Sequence, residues 1–201
     1  MRLWIDLAVI DDAASMCALI DAVVAHPLVE LVGVSVVTPE DALTSSVVHP
    51  ALHARGVGDV LLYSGTPDPR ALDAVEALLA VGPLTNLARL ARHSIELPPL
   101  VVVAEQFAAD PIAAALVVAT ARDVLVLPNA DADDEVPPIA AEIVALFALM
   151  GEHIVVGKRF VGVGLDGSLV IETADDAGDL SERDVVVDRD VRAIALRLLE
   201  R

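Results

Sequence analysis

Residues 2–37 read RLWIDLAVIDDAASMCALIDAVVAHPLVELVGVSVV, and the hydrophobic pattern changes twice along this stretch. Residues 2–10 are apolar and partly β-branched, which predicts a strand. In residues 11–25 the apolar side chains repeat at helical spacing, and the acids at the start suit the positive end of a helix dipole. Residues 29–37 are almost continuously apolar, which is typical of a strand covered on both faces. The stretch therefore predicts a strand, a helix and a parallel strand.

The same alternation continues to about residue 128. Further strands are predicted at 58–63, 77–81, 100–104 and 123–127, and helices at 39–54, 69–76, 84–92 and 110–120. Strands joined through helices run parallel, because the crossover returns the chain to the same end of the sheet. The predicted fold class is therefore α/β, with an open, mostly parallel sheet and helices on both faces.

The pattern differs in the last third of the chain. An acidic loop precedes a predicted helix at 139–150, and residues 157–164 and 169–173 flank Asp166–Gly167, a dipeptide typical of a β-hairpin. A strand at 184–187 and a closing helix at 190–200 follow. No Ser-, Gly- or Pro-rich linker divides the sequence, so we predict a single domain of residues 1–201.

Composition excludes several classes of function. The 201 residues carry 31 acids against 13 bases, a net charge of −18, which disfavours nucleic-acid or anionic-membrane partners. Cys17 is the only cysteine, so an internal disulfide is excluded, and no Cys/His spacing indicates zinc. Acids interrupt the N-terminal apolar stretch, and no apolar run reaches about 18 residues, so we expect a cytoplasmic protein without a secretory signal or membrane span.

Acidic residues cluster at the end of the first predicted strand. Asp11 and Asp12 follow that strand and Asp6 lies within it. Ligands of open parallel sheets bind at the carboxyl ends of the strands, where paired carboxylates can hold a hard divalent cation. Aspartate at a helix start is also a common N-cap, and on the bare motif capping alone is the simpler explanation. No glycines precede Asp11, which excludes a dinucleotide-binding or phosphate-binding loop.

Several segments, in their order along the chain, resemble the inosine/uridine-preferring nucleoside hydrolase family. The most specific is GPLTNLA at 82–88, and DDA at 11–13, ELVGVSV at 30–36 and EQFAADPIAA at 105–114 are similar to further family segments. The hairpin at Asp166–Gly167 and the C-terminal VVVDRDVRAIALRLL resemble the end of the family's chain. The resemblance extends over nearly the whole sequence and implies a shortened, divergent member.

The resemblance implies hydrolysis of the N-ribosidic bond of purine or pyrimidine nucleosides to ribose and a free base. In that family a bound Ca²⁺ holds the ribose hydroxyls and the attacking water, and an aspartate takes the proton of that water. Metal coordination lowers the pKa of water, and negative groups stabilise the cationic sugar. The expected partner is a nucleoside or ribose-like small molecule, and we expect a homo-oligomer.

Candidate site residues follow from the resemblance position by position. Candidate catalytic residues are Asp11 and Asp6. Candidate substrate-binding residues are Asp11, Glu40, Glu105 and Asn86. Candidate metal ligands are Asp12, Asp11, Glu142 and the backbone carbonyl of Val81.

The first motif departs from the family pattern D-x-D-P-G-x-D-D, because residues 5–12 read IDLAVIDD. Counted without gaps, Asp6 falls between the two upstream aspartates and Leu7 takes the position of the water-activating base. A one-residue deletion aligns Asp6 with the first aspartate and still leaves the base missing. The family's H-D-P segment has no counterpart. We therefore predict weak or lost Ca²⁺ binding and weak or no activity by the family's route.

Three hypotheses remain open from the sequence. The first is a working nucleoside hydrolase with a rearranged site, in which Asp6 or Glu40 replaces the missing base. The second is an inactive member that binds a small molecule or serves as a partner in an oligomeric assembly. The third is an unrelated α/β protein, such as a flavodoxin-like domain.

Overall fold

The computed structural model describes residues 1–8, 13–37, 47–128, 154–172, 178 and 180–189. In these residues the strands are β1 (Arg2–Ala8), β2 (Glu30–Val37), β3 (Leu61–Ser64), β4 (Ala77–Ala80), β5 (Leu100–Val103), β6 (Val124–Leu127), β7 (Ile154–Val163), β8 (Leu169–Glu172) and β9 (Ser181–Arg189). The helices are α1 (Ala13–Ala25), α2 (His49–Ala54), α3 (Thr85–Arg92) and α4 (Pro111–Thr120), with 3₁₀ helices at Pro69–Leu72 and Ala104–Ala109. None of these helices is long and apolar enough to cross a membrane.

The described strands form one sheet in the order β3-β2-β1-β4-β5-β6-β9-β7-β8. Strands β1 to β6 and β9 pair in parallel, whereas β7 pairs antiparallel with both β8 and β9. The predicted mostly parallel sheet with a C-terminal hairpin is confirmed. The strand order reverses between β1 and β4, because the chain builds β2 and β3 on one side of β1 and β4 to β6 on the other.

Two hydrophobic cores cover the two faces of the sheet, and β1 contributes to both. Leu3, Ile5 and Leu7 pack with α1 and α2 on one face. Trp4 packs with α3 and α4 on the other. This division follows from the period of two along a strand, which sends successive side chains to opposite faces. Helices on both faces of the sheet, as predicted, are confirmed.

The structure differs from the predicted elements where local pattern and long-range pairing compete. The predicted helix at 69–76 is a short 3₁₀ helix, Pro69–Leu72, and the 3₁₀ helix Ala104–Ala109 was not predicted. Strand β9 exceeds the predicted 184–187, because its residues pair with β7 from Ser181 to Arg189. The predicted helices at 139–150 and 190–200 lie outside the described residues.

The C-terminal part of the sheet is attached to the parallel part by specific contacts. In the β7–β8 turn, Gly167 has φ of +84°, and a Cβ there would lie 2.3 Å from the Cα of Ala108. Arg183 in β9 donates hydrogen bonds to the carbonyls of Val118 and Ala119, at 2.6 and 2.8 Å, near the end of α4. The two hydrogen bonds from Arg183 satisfy carbonyls in the last turn of α4, which have no partner within the helix.

Candidate functional site

Asp6 lies at the point where the strand order reverses. It is a fully buried residue near the carboxyl end of β1, beside Ser35 of β2 and Ala80 of β4. In open α/β sheets the ligand crevice forms at this reversal, outside the carboxyl ends of the strands. The structure therefore places a buried carboxyl group at the expected binding edge.

Two hydrogen-bond chains end on one oxygen of this carboxyl group. The Ser35 hydroxyl donates to Asp6 Oδ1 at 2.5 Å, and the Asn86 amide nitrogen donates to the same oxygen at 3.0 Å. Behind them, the Trp4 indole donates to Ser35 Oγ at 3.0 Å and the Thr66 hydroxyl donates to Asn86 Oδ1 at 3.5 Å. We call these five residues the Asp6 cluster.

The direction of each hydrogen bond in the cluster is fixed by chemistry. An indole N–H can only donate, so Ser35 Oγ accepts from Trp4 and directs its own hydrogen to Asp6. Oδ1 thus receives two donors, whereas Oδ2, equally buried, has no hydrogen-bond partner among the described residues. Buried polar atoms are almost always satisfied, and a water molecule or a ligand hydroxyl would satisfy this one.

Close packing holds the aromatic end of the cluster. Gly33 is paired with Trp4 across β1 and β2, and a Cβ at this glycine would lie 2.0 Å from the Trp4 ring. The ring of Tyr63 approaches from β3, with its centroid 5.7 Å from that of Trp4 and the planes at 44°. The indole therefore lies directly over the glycine, which fixes the donor of the first hydrogen-bond chain.

Burial dominates the electrostatics of Asp6. It raises the pKa of the carboxyl from 3.8 to about 7, against the hydrogen bonds from Asn86 and Ser35, which lower it. The four other members of the cluster are neutral, so none of them supplies a positive charge to hold the carboxylate ionised. A carboxyl group that titrates near neutral pH can both accept and donate a proton, as general acid–base catalysis requires.

The structure brings three of the sequence-predicted residues together. Asp6 and Asn86 share a hydrogen bond, and the Val81 amide donates to the backbone carbonyl of Asp6 at 3.0 Å. Glu105 is exposed in the 3₁₀ helix that follows β5, and Leu7 is buried in the opposite core. Four further predicted site residues lie outside the described residues: Asp11, Asp12, Glu40 and Glu142.

Sequence reasoning missed Trp4, Ser35 and Thr66. A signal for two of them was present, since Trp4 stands two residues before Asp6 and Ser35 is a polar residue inside the apolar run VGVSVV. Side chains two apart on a strand share a face, so Trp4 and Asp6 had to point the same way. Thr66 follows β3, and only the tertiary fold brings it to Asn86.

The described residues around Asp6 do not fit the calcium ion that the resemblance implies. Ca²⁺ takes six to eight oxygen ligands, usually with several carboxylates. Asp6 is the only carboxylate in its cluster, and its Oδ1 already accepts two hydrogen bonds. In the part of the chain that the structure describes, no three His, Cys, Asp or Glu residues form a metal-binding group.

No protein-family model matches the chain, and no curated protein matches it by sequence. Among solved structures, a plant nucleoside hydrolase superposes with a TM-score of 0.75 at 13% identity, over 99% of this chain and 98% of that one. The chain has a nucleoside hydrolase-like fold. An FMN-dependent UbiX-like decarboxylase from Escherichia coli, 14% identical over 100% of this chain and 92% of that one, reaches a TM-score of only 0.33.

Proposed function

We propose that this chain is a divergent nucleoside hydrolase of the inosine/uridine-preferring type, in which Asp6 replaces the missing water-activating aspartate. One observation supports this most strongly. At the binding edge of a nucleoside hydrolase-like fold, Asp6 is buried with Oδ1 held by two donors and Oδ2 without a partner in the described residues. The substrate class follows from the fold and from the resemblance of the GPLTNLA segment.

The chemistry assigned to Asp6 is proton transfer at Oδ2. The oxygen of water bonds to C1′ of the ribose while the N-ribosidic bond breaks and its electron pair leaves with the base. Ionised Asp6 accepts a proton from the water at Oδ2, and the departing base takes up a proton from solvent, so the products are ribose and the neutral base. A carboxylate near the sugar also stabilises its developing positive charge. A pKa of about 7 suits a general base at neutral pH.

Ribose release by Asp6→Asn tests the proposal. The asparagine retains an acceptor oxygen for Ser35 and Asn86 but cannot exchange a proton. With inosine, uridine, adenosine and cytidine as substrates, we expect ribose release to fall by about 100-fold or more. Asp123→Asn is the matched control, because Asp123 is exposed and directly precedes β6. It therefore lies at the amino ends of the parallel strands, away from Asp6. Wild-type turnover by Asp6→Asn would contradict the proposal.

The alternative is an inactive member that binds a nucleoside or similar molecule without cleaving it. The missing family aspartate favours this alternative, because loss of a general base typically costs about 10²- to 10⁴-fold in rate. Trp4 is the only tryptophan of the chain and belongs to the Asp6 cluster, so its fluorescence reports ligand binding. Saturable quenching by nucleosides with no ribose release from the wild-type protein would favour the binding role.

Two further expectations are proposals as well. We expect no tight Ca²⁺ binding, and a micromolar affinity in calorimetric titration that Asp12→Ala abolishes would contradict this. We expect a homo-oligomer, which a strictly monomeric sedimentation profile would contradict. Both measurements are independent of ribose release.

A further inference from the structure

Asn86 lies between a hydroxyl donor and the buried carboxyl group. We propose that Asn86 is a positioning residue, whose amide, anchored by Thr66, holds the Asp6 carboxyl so that only Oδ2 meets the ligand. The inference rests on the proposed function and assigns Asn86 a role other than the substrate contact expected from the resemblance. On this proposal, the reactivity of Asp6 depends on the other residues of the Asp6 cluster.

The Asn86 amide already makes hydrogen bonds to two side chains of the cluster. Asn86 is 1% exposed, in the first turn of α3 next to the buried Leu87. Its amide nitrogen donates to Asp6 and its oxygen accepts from Thr66. Each end of the amide therefore contacts a side chain of the cluster, which is the arrangement that a positioning role requires.

The two donors to Asp6 Oδ1 come from different elements of the fold. Ser35 belongs to β2 and Asn86 to α3, so the carboxyl group is held from the sheet and from the helix layer. A partial rotation of the carboxyl about its Cβ–Cγ bond would break both hydrogen bonds, whereas a half-turn only exchanges two equivalent oxygens. The two donors therefore fix the plane of the carboxyl group, and such fixed orientation is what a reacting group needs.

The acceptor oxygen of Asp6 sets which end of the Asn86 amide faces it. If the amide were flipped, its oxygen would face the acceptor Oδ1 and the hydrogen bond to Asp6 would be lost. In the observed orientation the Thr66 hydroxyl donates to the amide oxygen and so holds the far end of the side chain in place. A substitution at Thr66 should therefore weaken the positioning without touching Asp6 itself.

Steady-state kinetics separate positioning from substrate contact. Asn86→Leu removes both hydrogen bonds of the amide, and Thr66→Val removes its anchor. Thr120→Val is the matched control, because its hydroxyl donates to the Leu116 carbonyl within α4. For Asn86→Leu we expect kcat to fall by about 10- to 100-fold with little change in KM, because misplacement of a reacting group costs rate. Thr66→Val should show a smaller loss of kcat. A raised KM at unchanged kcat would overturn the inference and leave the proposed function intact.

A second measurement does not depend on activity. Trp4 is linked to Asp6 through Ser35, so its emission followed against pH reports ionisation of Asp6, and the transition should disappear in Asp6→Asn. Asn86→Leu should raise the midpoint, because it removes a donor to the carboxylate, and Thr66→Val should raise it less. An unshifted midpoint in both variants would overturn the inference. Shifted midpoints in a protein that releases no ribose would count against the proposed function alone.

Discussion

Asp6 and Leu7 are neighbours on β1 and lie in two different environments. Leu7 packs with Leu3 and Ile5 in a purely aliphatic core against α1 and α2. Asp6 points to the other face, where Ser35 and Asn86 bind its carboxyl group. Because successive side chains of a strand point to opposite faces, one of these neighbours packs in an apolar core and the other forms polar contacts. An alignment of β1 with the family motif that is wrong by one residue would therefore exchange a core position for a site position.

This difference favours Asp6 over Leu7 as the position where an acid can act. The ungapped count against the family motif puts the water-activating base at Leu7. In the structure, the side chain at position 7 lies in the core against α1 and α2, on the opposite face of the sheet from Asn86. Asp6, in contrast, contacts Asn86 of the GPLTNLA segment. This placement supports the proposal that Asp6, and not a residue at position 7, replaces the missing base.

The largest expected effect comes from moving the acid to the other face. Leu7→Asp should destabilise the protein by about 4 kcal/mol or more, because it buries an unpaired carboxyl in an aliphatic core. It should not raise ribose release. Urea unfolding measures the stability, with Leu165→Asp as the control at a fully exposed turn position. A stable Leu7→Asp variant with increased turnover would show that the site lies on the Leu7 face.

The pH dependence of stability should differ between wild type and Asp6→Asn. The folded pKa of about 7 exceeds the ordinary 3.8, so between these values the native state holds a proton that the unfolded chain has lost. The free energy of unfolding of the wild type should therefore fall, relative to Asp6→Asn, as pH rises from about 4 to 7. At 1.36 kcal/mol per pKa unit the difference reaches about 4 kcal/mol.

Urea unfolding of both proteins at pH 4.5 and pH 8 should show about 3 kcal/mol of this change, because pH 4.5 lies about 2.5 units below the folded pKa. Asp123→Asn, which replaces an exposed carboxyl group, serves as the control and should show no such change in the difference. An equal difference between wild type and Asp6→Asn at the two pH values would contradict a raised pKa of Asp6.

A smaller effect tests the packing that supports the cluster. Gly33→Ala should cost about 1–3 kcal/mol, because the new methyl group would overlap the Trp4 ring. Trp4 emission should change as the indole moves away from Ser35. Gly58→Ala is the control, since a Cβ there meets nothing nearer than 3.4 Å. Equal stability of Gly33→Ala and Gly58→Ala would contradict this prediction, because the close packing of the Trp4 ring on Gly33 would then contribute nothing to stability.

Most of the parallel part of the fold was predictable from local pattern. The apolar runs at β1, β2, β4, β5 and β6 and the periodic helices α1, α3 and α4 were found within a few residues. The 3₁₀ helix Ala104–Ala109 and the full length of β9 were not, because tertiary contacts with the hairpin turn and pairing with β7 determine them. Such contacts join distant residues and leave no local periodicity.

The site was predictable only in part. Asp6 stood out as an acid inside an apolar strand, and Asn86 through the GPLTNLA resemblance, yet nothing in the sequence joined them. Their hydrogen bond depends on β1 and β4 being adjacent and on α3 starting directly after β4. The raised pKa of Asp6 depends on complete burial, which no single segment reveals.

The most direct test of the central claim is the titration of Asp6 itself. The ¹³Cγ resonance of Asp6, assigned by its loss in Asp6→Asn, would be followed by NMR from pH 3 to pH 9. A buried carboxyl group held at Oδ1 by two neutral donors should titrate with a midpoint near 7. A midpoint near the ordinary aspartate value of about 4 would contradict the account, because Asp6 would then be a permanently ionised group at neutral pH.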